Sequence, residues 1–306
     1  MKTPVALFIF NRPETTSRVF AEISKARPPK LLVIADGPRA DPPGEAATCA
    51  VTRAIVEKID WDCEVFTNFS EVNLGCGLRL ASGIDWVFQT TEEAVILEDD
   101  CLPCPTFFRF CDELLARYRN DERVMMISGN NFQSGHTRPH YSYYFSRYPN
   151  TWGWACWRRA WQYFDRDMKL WPTLMDTDWL IDILGDQVAA AHWRQVFSSA
   201  ITDNVGIWDY QWLFSCWVQN GLSITPGVNL VSNIGFGNSA THTKADVSSI
   251  GELPTEEMSF PLRHPPHMLR DRNADGLLFK IYEMQSRGKL PNFLQRLQRL
   301  RTGRYS

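Results

Sequence analysis

Short apolar runs alternate with segments of helical periodicity along the first half of the chain. Continuous apolar runs predict buried strands at residues 5–10, 31–35, 63–66, 94–97 and 124–127. Between these runs, apolar residues recur at every third or fourth position, and this spacing predicts helices that begin near Pro13, Glu45, Leu78 and Pro105. Strands that alternate with helices are typical of βαβ units. The pattern therefore predicts an α/β fold with a mostly parallel sheet flanked by helices.

The pattern changes after residue 128. Residues 141–164 are rich in aromatic side chains and are predicted to be loop-prone, and a further helix is predicted at residues 209–219. All twelve tryptophans lie between Trp61 and Trp217. We therefore expect one domain over residues 1–250, with halves at 1–128 and 129–250, and a helical C-terminal extension over residues 251–306.

Composition and charge exclude several classes of protein. A hydrophobic fraction of 44% is typical of a globular chain. With a net charge of −3, the chain lacks the excess of basic residues that binding to nucleic acid requires. The longest apolar run, residues 5–10, is much shorter than the roughly 20 residues that a transmembrane helix needs. No signal-peptide cleavage site follows that run, so we expect a cytoplasmic protein with reduced cysteines.

The last twenty residues carry six basic side chains and no acidic one. Their apolar residues fall on one helical stripe, a pattern compatible with peripheral contact with an anionic membrane. A helix packed on the body with solvated arginines fits the same pattern.

Polar side chains that follow the apolar runs are the candidates for chemistry, because ligands of open α/β sheets bind beyond the carboxyl ends of the strands. Arg12 follows the first run, Asp36 the second, and Glu98-Asp99-Asp100 the fourth. Three adjacent carboxylates repel one another, and a hard divalent cation relieves that repulsion through oxygen ligands. A site for a metal and a diphosphate is one interpretation. A carboxylate that caps a turn or the next helix is the other, and spacing alone leaves both open.

Several motifs are absent. Neither GxxxxGK[ST] nor GxGxxG follows the first run, which argues against a P-loop nucleotidase and against a nicotinamide-binding domain. No GxSxG motif occurs, so the chain offers no recognisable serine-hydrolase nucleophile.

The segment Glu98-Asp99-Asp100 with Phe107-Phe108 downstream resembles the EDD form of the DxD motif in the inverting N-acetylglucosaminyltransferase I-like branch of the GT-A glycosyltransferases. Trp208-Asp209 is similar to that family's catalytic Trp-Asp segment. The resemblance covers roughly residues 4–243. It implies a Rossmann-like GT-A fold with an aromatic-rich acceptor side and a helical C-terminal tail, which transfers a sugar with inversion from a nucleotide-diphosphate donor to a glycan hydroxyl. Among donors it points to a UDP-sugar, with UDP-GlcNAc as the family's example.

The resemblance also implies roles for the acidic residues. Asp100 would bind Mn²⁺ or Mg²⁺ directly, Asp99 would face the ribose or a metal-bound water, and Glu98 would support the sugar or the metal's ligands. Asp209 would take the proton from the acceptor hydroxyl. As the first residue of a predicted helix, Asp209 also has a simpler interpretation, because a carboxylate there stabilises the helix dipole.

The remaining candidates are assigned in the same way. Arg12 and Arg79 would contact the uridine or its phosphates, Asp36 the uracil, and His242 the metal. Each has a structural alternative: a surface or salt-bridged arginine, an ordinary Asp-Gly-Pro turn, or a loop histidine. Sugar-stacking surfaces are expected at Trp152, Trp154 and Trp208, while most other tryptophans are expected in the core.

Two other functions fit an α/β nucleotide fold. A sugar nucleotidyltransferase is one, although its glycine-rich N-terminal loop is missing. A non-catalytic carbohydrate-binding protein on the same fold is the other. The sequence does not name the sugar or the acceptor.

Overall fold

A single eight-stranded sheet forms the centre of the protein. The computed structural model describes residues 1–41, 43–133, 140–202, 208–235 and 253–286. The strands of the central sheet are β1 (Val5–Ile9), β2 (Lys30–Ala35), β3 (Glu64–Phe69), β4 (Glu93–Glu98), β6 (Val124–Ser128), β7 (Tyr143–Ser146), β8 (Trp154–Trp157) and β9 (Leu222–Pro226). Two short strands, β5 (Cys101–Pro103) and β10 (Val231–Asn233), pair antiparallel in a separate small sheet.

Helices cover the sheet. Four long helices belong to the first half: α1 (Pro13–Ala26), α2 (Glu45–Ile55), α3 (Cys76–Thr90) and α4 (Pro105–Tyr118). In the rest of the described chain they are α5 (Arg158–Trp161), α6 (Trp171–Leu174), α7 (Trp179–Leu184), α8 (Gln187–Thr202), α9 (Asp209–Val218) and α10 (Arg272–Ser286). Both α1 and α4 begin at a proline, whose fixed φ suits the first helical position and whose missing N–H has no partner to lose there.

The strand order is β3-β2-β1-β4-β8-β6-β9-β7. Strands β1 to β4 are mutually parallel, β8 runs antiparallel between β4 and β6, and β7 runs antiparallel to β9. The carboxyl ends of β1, β2, β4 and β6 therefore meet at one edge of the sheet, together with the chain that enters β8. This arrangement confirms the predicted α/β class.

The aromatic-rich segment differs from the prediction. Residues 141–164 are not mainly loop, because they contain β7 and β8, and every residue of both strands is buried. A strand that is covered on both faces shows a continuous apolar run without the two-residue alternation that marks a half-exposed strand. Trp157 is the last residue of β8.

The core has three parts. One apolar cluster lies on each face of the sheet, and a third lies among the helices of the second half. Tryptophans line the second and third clusters, and the six that are almost fully buried are Trp154, Trp157, Trp171, Trp193, Trp212 and Trp217. The expectation that most tryptophans are core residues is confirmed.

The described residues contain no helix that is long and apolar enough to cross a membrane. The basic C-terminal stripe lies within residues 287–306, outside the described part of the chain, so its predicted contact with a membrane stays a prediction.

Gly129 joins three segments just after β6. Its N–H donates to the carbonyl oxygen of Gly153 at 2.7 Å, and its carbonyl accepts from the N–H of Leu230 at 3.0 Å. A Cβ at this position would lie 2.5 Å from the Gly153 oxygen and 2.6 Å from both Phe107 and Val231. Backbone atoms cannot move aside as a flexible side chain can, so only glycine fits here.

The substitution Gly129→Ala is expected to lower the free energy of unfolding by about 1–3 kcal/mol, the usual effect of forcing an extra methyl group into a packed core. Chemical denaturation followed by circular dichroism measures it. Gly276→Ala is the matched control, because a Cβ there has no neighbour within 4 Å. That control is expected to be neutral or slightly stabilising, since alanine favours a helix over glycine. Equal effects of the two substitutions would contradict the close approach at Gly129.

Candidate functional site

The acidic cluster Glu98, Asp99 and Asp100 lies where β4 ends, at the edge shared by the carboxyl ends of the parallel strands. Asp99 Oδ2 accepts a hydrogen bond from the N–H of Phe10 at 3.2 Å, which ties the cluster to the end of β1. The Asp100 carbonyl accepts from the N–H of Ile234 at 2.8 Å, just after β10. The cluster is therefore fixed from both sides by backbone contacts.

Arg12 supplies the positive charge next to this cluster. It stands immediately before α1, and its Nη1 lies 2.5 Å from Asp100 Oδ2 and 3.5 Å from Asp99 Oδ1. Burial acts to lower the pKa of Arg12, but the carboxylates Asp99, Asp100 and Glu98 outweigh it, and the pKa is raised. Arg12 is thus a permanently charged partner of the acidic cluster. Its predicted contact with uridine phosphates stays a prediction.

The cluster carries more negative charge than Arg12 neutralises. Burial first, and then repulsion from Asp100, raise the pKa of Asp99 to about 7, although Arg12 and the Phe10 N–H oppose the shift. Burial and the two neighbouring aspartates also raise the pKa of Glu98 well above its ordinary value. Binding of a cation or of protons therefore stabilises such a cluster.

The oxygen ligands of the cluster fit a metal that is shared with a substrate. The described residues hold no group of three or more His, Cys, Asp or Glu side chains that could bind a metal by themselves. Mg²⁺ is commonly held by one or two carboxylates together with substrate phosphates, and Mn²⁺ accepts the same oxygen ligands. Asp99 and Asp100 therefore fit a metal that also binds substrate phosphates better than a metal held by protein ligands alone. His242 lies outside the described residues, so its predicted role as a metal ligand stays a prediction.

Gly235 closes the site from the other side. A Cβ on Gly235 would lie 2.3 Å from Asp100 Oδ2 and 2.8 Å from Arg12 Nη1. Its N–H donates to Asn233 Oδ1 at 2.9 Å, which holds the backbone in place. The sequence marks this stretch only as the start of a glycine-rich run, and its contact with the acidic cluster depends on the pairing of β10 with β5.

Asp209 lies within electrostatic range of the same cluster. It is the first residue of α9, and its Oδ1 accepts from the N–H of Tyr210 at 3.0 Å. Burial raises the pKa of Asp209 to about 6. Its negative charge also raises the pKa of Glu98, so the two carboxylates are near enough to interact electrostatically. The fold thus joins two predicted stations that are more than a hundred residues apart in the chain.

Cys76, which sequence reasoning did not single out, lies at the start of α3 beside these carboxylates. Although the residue reaches the surface, the protein around it and then the charges of Glu98, Asp209 and Asp100 raise the pKa of its thiol to about 12. Cys76 is therefore a neutral thiol at the margin of the site and a poor nucleophile.

Asp36 and Arg79 have structural partners. The carboxylate of Asp36 accepts hydrogen bonds from the backbone N–H groups of Gly37, Leu74 and Gly75 and from the side chain of Asn73. Arg79 donates to the Ala35 carbonyl and to the carbonyl and side chain of Asn68. Both side chains shape the turn between β3 and α3. Their predicted contacts with uracil and phosphate stay predictions. A ligand that bound these side chains would have to compete with the hydrogen bonds that they already make.

The three tryptophans predicted to contact sugar differ in exposure. Trp154 is only 1% exposed and Trp208 only 6%, and their rings stack on each other with centroids 5.7 Å apart. A sugar stacks only on an accessible ring face, so the predicted contacts of Trp154 and Trp208 have almost no surface in the described conformation. Trp152 is half-buried and packs edge-on against Phe132 at 5.1 Å, which leaves it as the strongest of the three candidates.

No protein-family model and no curated protein matches the chain. Among solved structures, the apo form of mouse xyloside xylosyltransferase 1 aligns with 69% of this chain and 80% of that chain, at 12% sequence identity and a TM-score of 0.33. A similarity this low carries no conclusion about what this chain binds or transfers.

The substitution Arg12→Met tests the charge balance of the acidic cluster. Folding raises the pKa of Asp99 to about 7, so the ionised carboxylate destabilises the folded state. The free energy of unfolding therefore falls as the pH rises from about 4, the ordinary pKa of an aspartate, toward 7. Without Arg12 that pKa is expected to rise further. The melting temperature of the variant should therefore drop much more at pH 8 than at pH 5.

Differential scanning fluorimetry at the two pH values measures the effect. Arg18→Met, an exposed arginine of the same helix, is the matched control and is expected to shift the melting temperature little at either pH. An equal loss at pH 5 and pH 8 for Arg12→Met would show that the cluster does not depend on this cation.

Proposed function

We propose that this protein is a metal-dependent inverting glycosyltransferase, which moves a sugar from a UDP-sugar to a hydroxyl group of a glycan acceptor. One observation carries the proposal: the acidic cluster after β4 and Asp209 at the start of α9 interact at the carboxyl edge of the sheet. Transfer with inversion needs a place for the departing diphosphate and a base for the incoming hydroxyl. The two stations match these needs.

The donor side consists of Asp100, Asp99, Glu98 and Arg12. Asp100 would hold Mn²⁺ or Mg²⁺, which supplies positive charge for the diphosphate as it leaves. Arg12 lies against Asp100 and Asp99 and is positioned to neutralise phosphate oxygens beside them. The turn held by Asp36 and Arg79 borders the region where the nucleobase is proposed to bind.

The acceptor side is built around Asp209. A base must be ionised to accept a proton and basic enough to attract one. With a pKa raised by burial to about 6, Asp209 is mostly ionised at pH 7 and more basic than an ordinary aspartate. As the acceptor oxygen bonds to the anomeric carbon, its proton passes to Asp209 while the bond to the diphosphate breaks. Asp209 Oδ1 accepts a backbone hydrogen bond from Tyr210, and an aspartate carboxylate has further acceptor positions on its two oxygens for that proton.

Release of UDP from a panel of UDP-sugars is the direct test of this function. Turnover is expected with Mn²⁺ and is expected to disappear with a chelator or in Asp100→Ala. Asp62→Asn, an exposed carboxylate away from the cluster, is the matched control and should retain the wild-type rate. Metal-independent release, or full activity of Asp100→Ala, would contradict the assignment. Glycan binding without any release would favour the non-catalytic alternative.

The role of Asp209 predicts the acidic limb of the pH profile. Activity is expected to fall as the pH drops through about 6, because protonated Asp209 cannot accept the hydroxyl proton. Asp209→Asn should lower kcat by at least about 100-fold, within the usual contribution of a general base, while its affinity for UDP stays near that of the wild type. Calorimetry and steady-state rates separate these quantities. A variant that loses thermal stability but keeps its rate would identify Asp209 as a helix-capping residue only.

A further inference from the structure

All four carboxylate oxygens of Asp99 and Asp100 have protein partners. Asp99 Oδ2 accepts a hydrogen bond from the N–H of Phe10 at 3.2 Å, and Asp100 Oδ1 accepts one from the thiol of Cys101 at 3.5 Å. The other two oxygens, Asp99 Oδ1 and Asp100 Oδ2, share one partner. The Nη1 atom of Arg12 lies 3.5 Å from the first and 2.5 Å from the second. Arg12 is therefore the one charged group that holds both carboxylates.

Asp100 Oδ2 is enclosed on a second side by the chain that follows β10. A Cβ on Gly235 would lie 2.3 Å from this oxygen and 2.8 Å from Arg12 Nη1. Hydrogen bonds hold that backbone in place, because Ile234 N–H donates to the Asp100 carbonyl and Gly235 N–H donates to Asn233 Oδ1. The Asp100 side chain is only 16% exposed. A cation that approaches Asp100 Oδ2 thus meets the guanidinium and a fixed backbone.

A divalent cation and Arg12 compete for these carboxylates. Two positive charges bound to the same oxygen lie a few ångströms apart, and they repel each other strongly where water screens them poorly. Both charges therefore cannot occupy Asp100 Oδ2 at low cost. Either the guanidinium stays on the carboxylates or a metal replaces it there.

Among the partners of the two carboxylates, Arg12 is the one that is free to move. The Phe10 donor is a backbone N–H, and the Cys101 thiol is fully buried. The backbone of Arg12 is fixed by the first turn of α1, since its carbonyl accepts from the N–H of Thr16 at 3.0 Å and from the Thr16 hydroxyl at 2.7 Å. Its long side chain extends from this fixed point. The guanidinium can therefore change partners without any change in the backbone.

We propose that Arg12 is a displaceable counterion, which holds Asp99 and Asp100 until a divalent cation binds there together with the donor, and which then binds the donor diphosphate. The inference rests on the proposed function, since that function assigns the metal and the diphosphate to this cluster. A diphosphate gives the displaced guanidinium a new anionic partner, and arginine binds phosphate oxygens with paired N–H donors.

The exchange of partners couples the metal to the nucleotide. A metal that binds alone leaves Arg12 beside a second cation and without its carboxylate partners. When UDP is also bound, its diphosphate relieves both costs. The site is therefore expected to bind Mn²⁺ weakly by itself and much more tightly with UDP, and each ligand raises the affinity for the other by the same factor.

Binding of Mn²⁺ alone, followed by the electron paramagnetic resonance signal of the free ion, tests the role of Arg12. The substitution Arg12→Met removes the competing charge, so the variant is expected to bind Mn²⁺ at least about 10-fold more tightly than the wild type. In the presence of UDP, the factor by which UDP raises the Mn²⁺ affinity should be at least about 10-fold smaller in the variant, because there is no guanidinium for the diphosphate to take over. Neither measurement depends on turnover.

Two further variants make the result specific. Arg18→Met is the matched control, because it removes the same charge from an exposed position of the same helix, and its Mn²⁺ affinity should equal that of the wild type. Arg12→Lys keeps the positive charge and supplies the measurement if Arg12→Met does not fold. From the fixed backbone the shorter lysine reaches Asp100 less closely, and it offers a point charge in place of a planar fork. Its affinity for Mn²⁺ alone should lie above that of the wild type and below that of Arg12→Met.

An Arg12→Met variant that binds Mn²⁺ alone no more tightly than the wild type would overturn the inference. Wild-type affinity in Arg12→Lys, or an equal gain in Arg18→Met, would do the same. The failure of the proposed function gives a different result. A wild-type protein that takes up no Mn²⁺ even with UDP contradicts the proposed function, whereas a wild type that binds both, with a coupling that persists unchanged in Arg12→Met, contradicts the displacement of Arg12 alone.

Discussion

The mutual repulsion of Glu98, Asp99 and Asp100 is the constraint on which the site depends. These carboxylates end a buried central strand, where water screens them poorly, and their pKa values rise accordingly. The Arg12 guanidinium partly neutralises these carboxylates, and hydrogen bonds from the backbone N–H groups of Phe10 and Ile234 hold the segment in position. In the proposed function, a divalent cation that accompanies the donor diphosphate would balance the remaining negative charge.

The geometry of the sheet decides what surrounds this charge. Because β8 runs antiparallel between β4 and β6, the chain that enters β8 lies at the same edge as the carboxyl ends of those two strands. Gly129 and Gly153 approach each other there without side chains between them, and Gly153 also lies against Leu97 of β4. A single reversed strand thus places the chain that enters β8 next to the carboxylates at the end of β4.

The aromatic residues of the second half stabilise this arrangement more than they supply a binding surface. Trp154, Trp161, Trp208 and Trp212 pack together directly behind the start of α9. Burial of these large rings fixes the position of Trp208 and hence of Asp209, the next residue. Rigid aromatic packing therefore fixes the start of α9 against β8 and α5.

The sequence by itself determined the elements of the first half and the identity of the acidic cluster. Proline at the start of α1 and α4, helical spacing and continuous apolar runs are local signals, and the observed bounds of β1, β2, β4, β6 and α4 lie within one or two residues of the predicted ones. The tertiary structure alone decided that β7 and β8 are strands, since their continuous burial removes the alternation that a sequence pattern would show. It also decided that Trp154 is core, that Asp36 and Arg79 hold a turn, and that Gly235 and Cys76 border the acidic cluster. These facts depend on contacts between residues far apart in the chain, and hydrophobic periodicity reports only which face of an element is buried, not which distant element covers it.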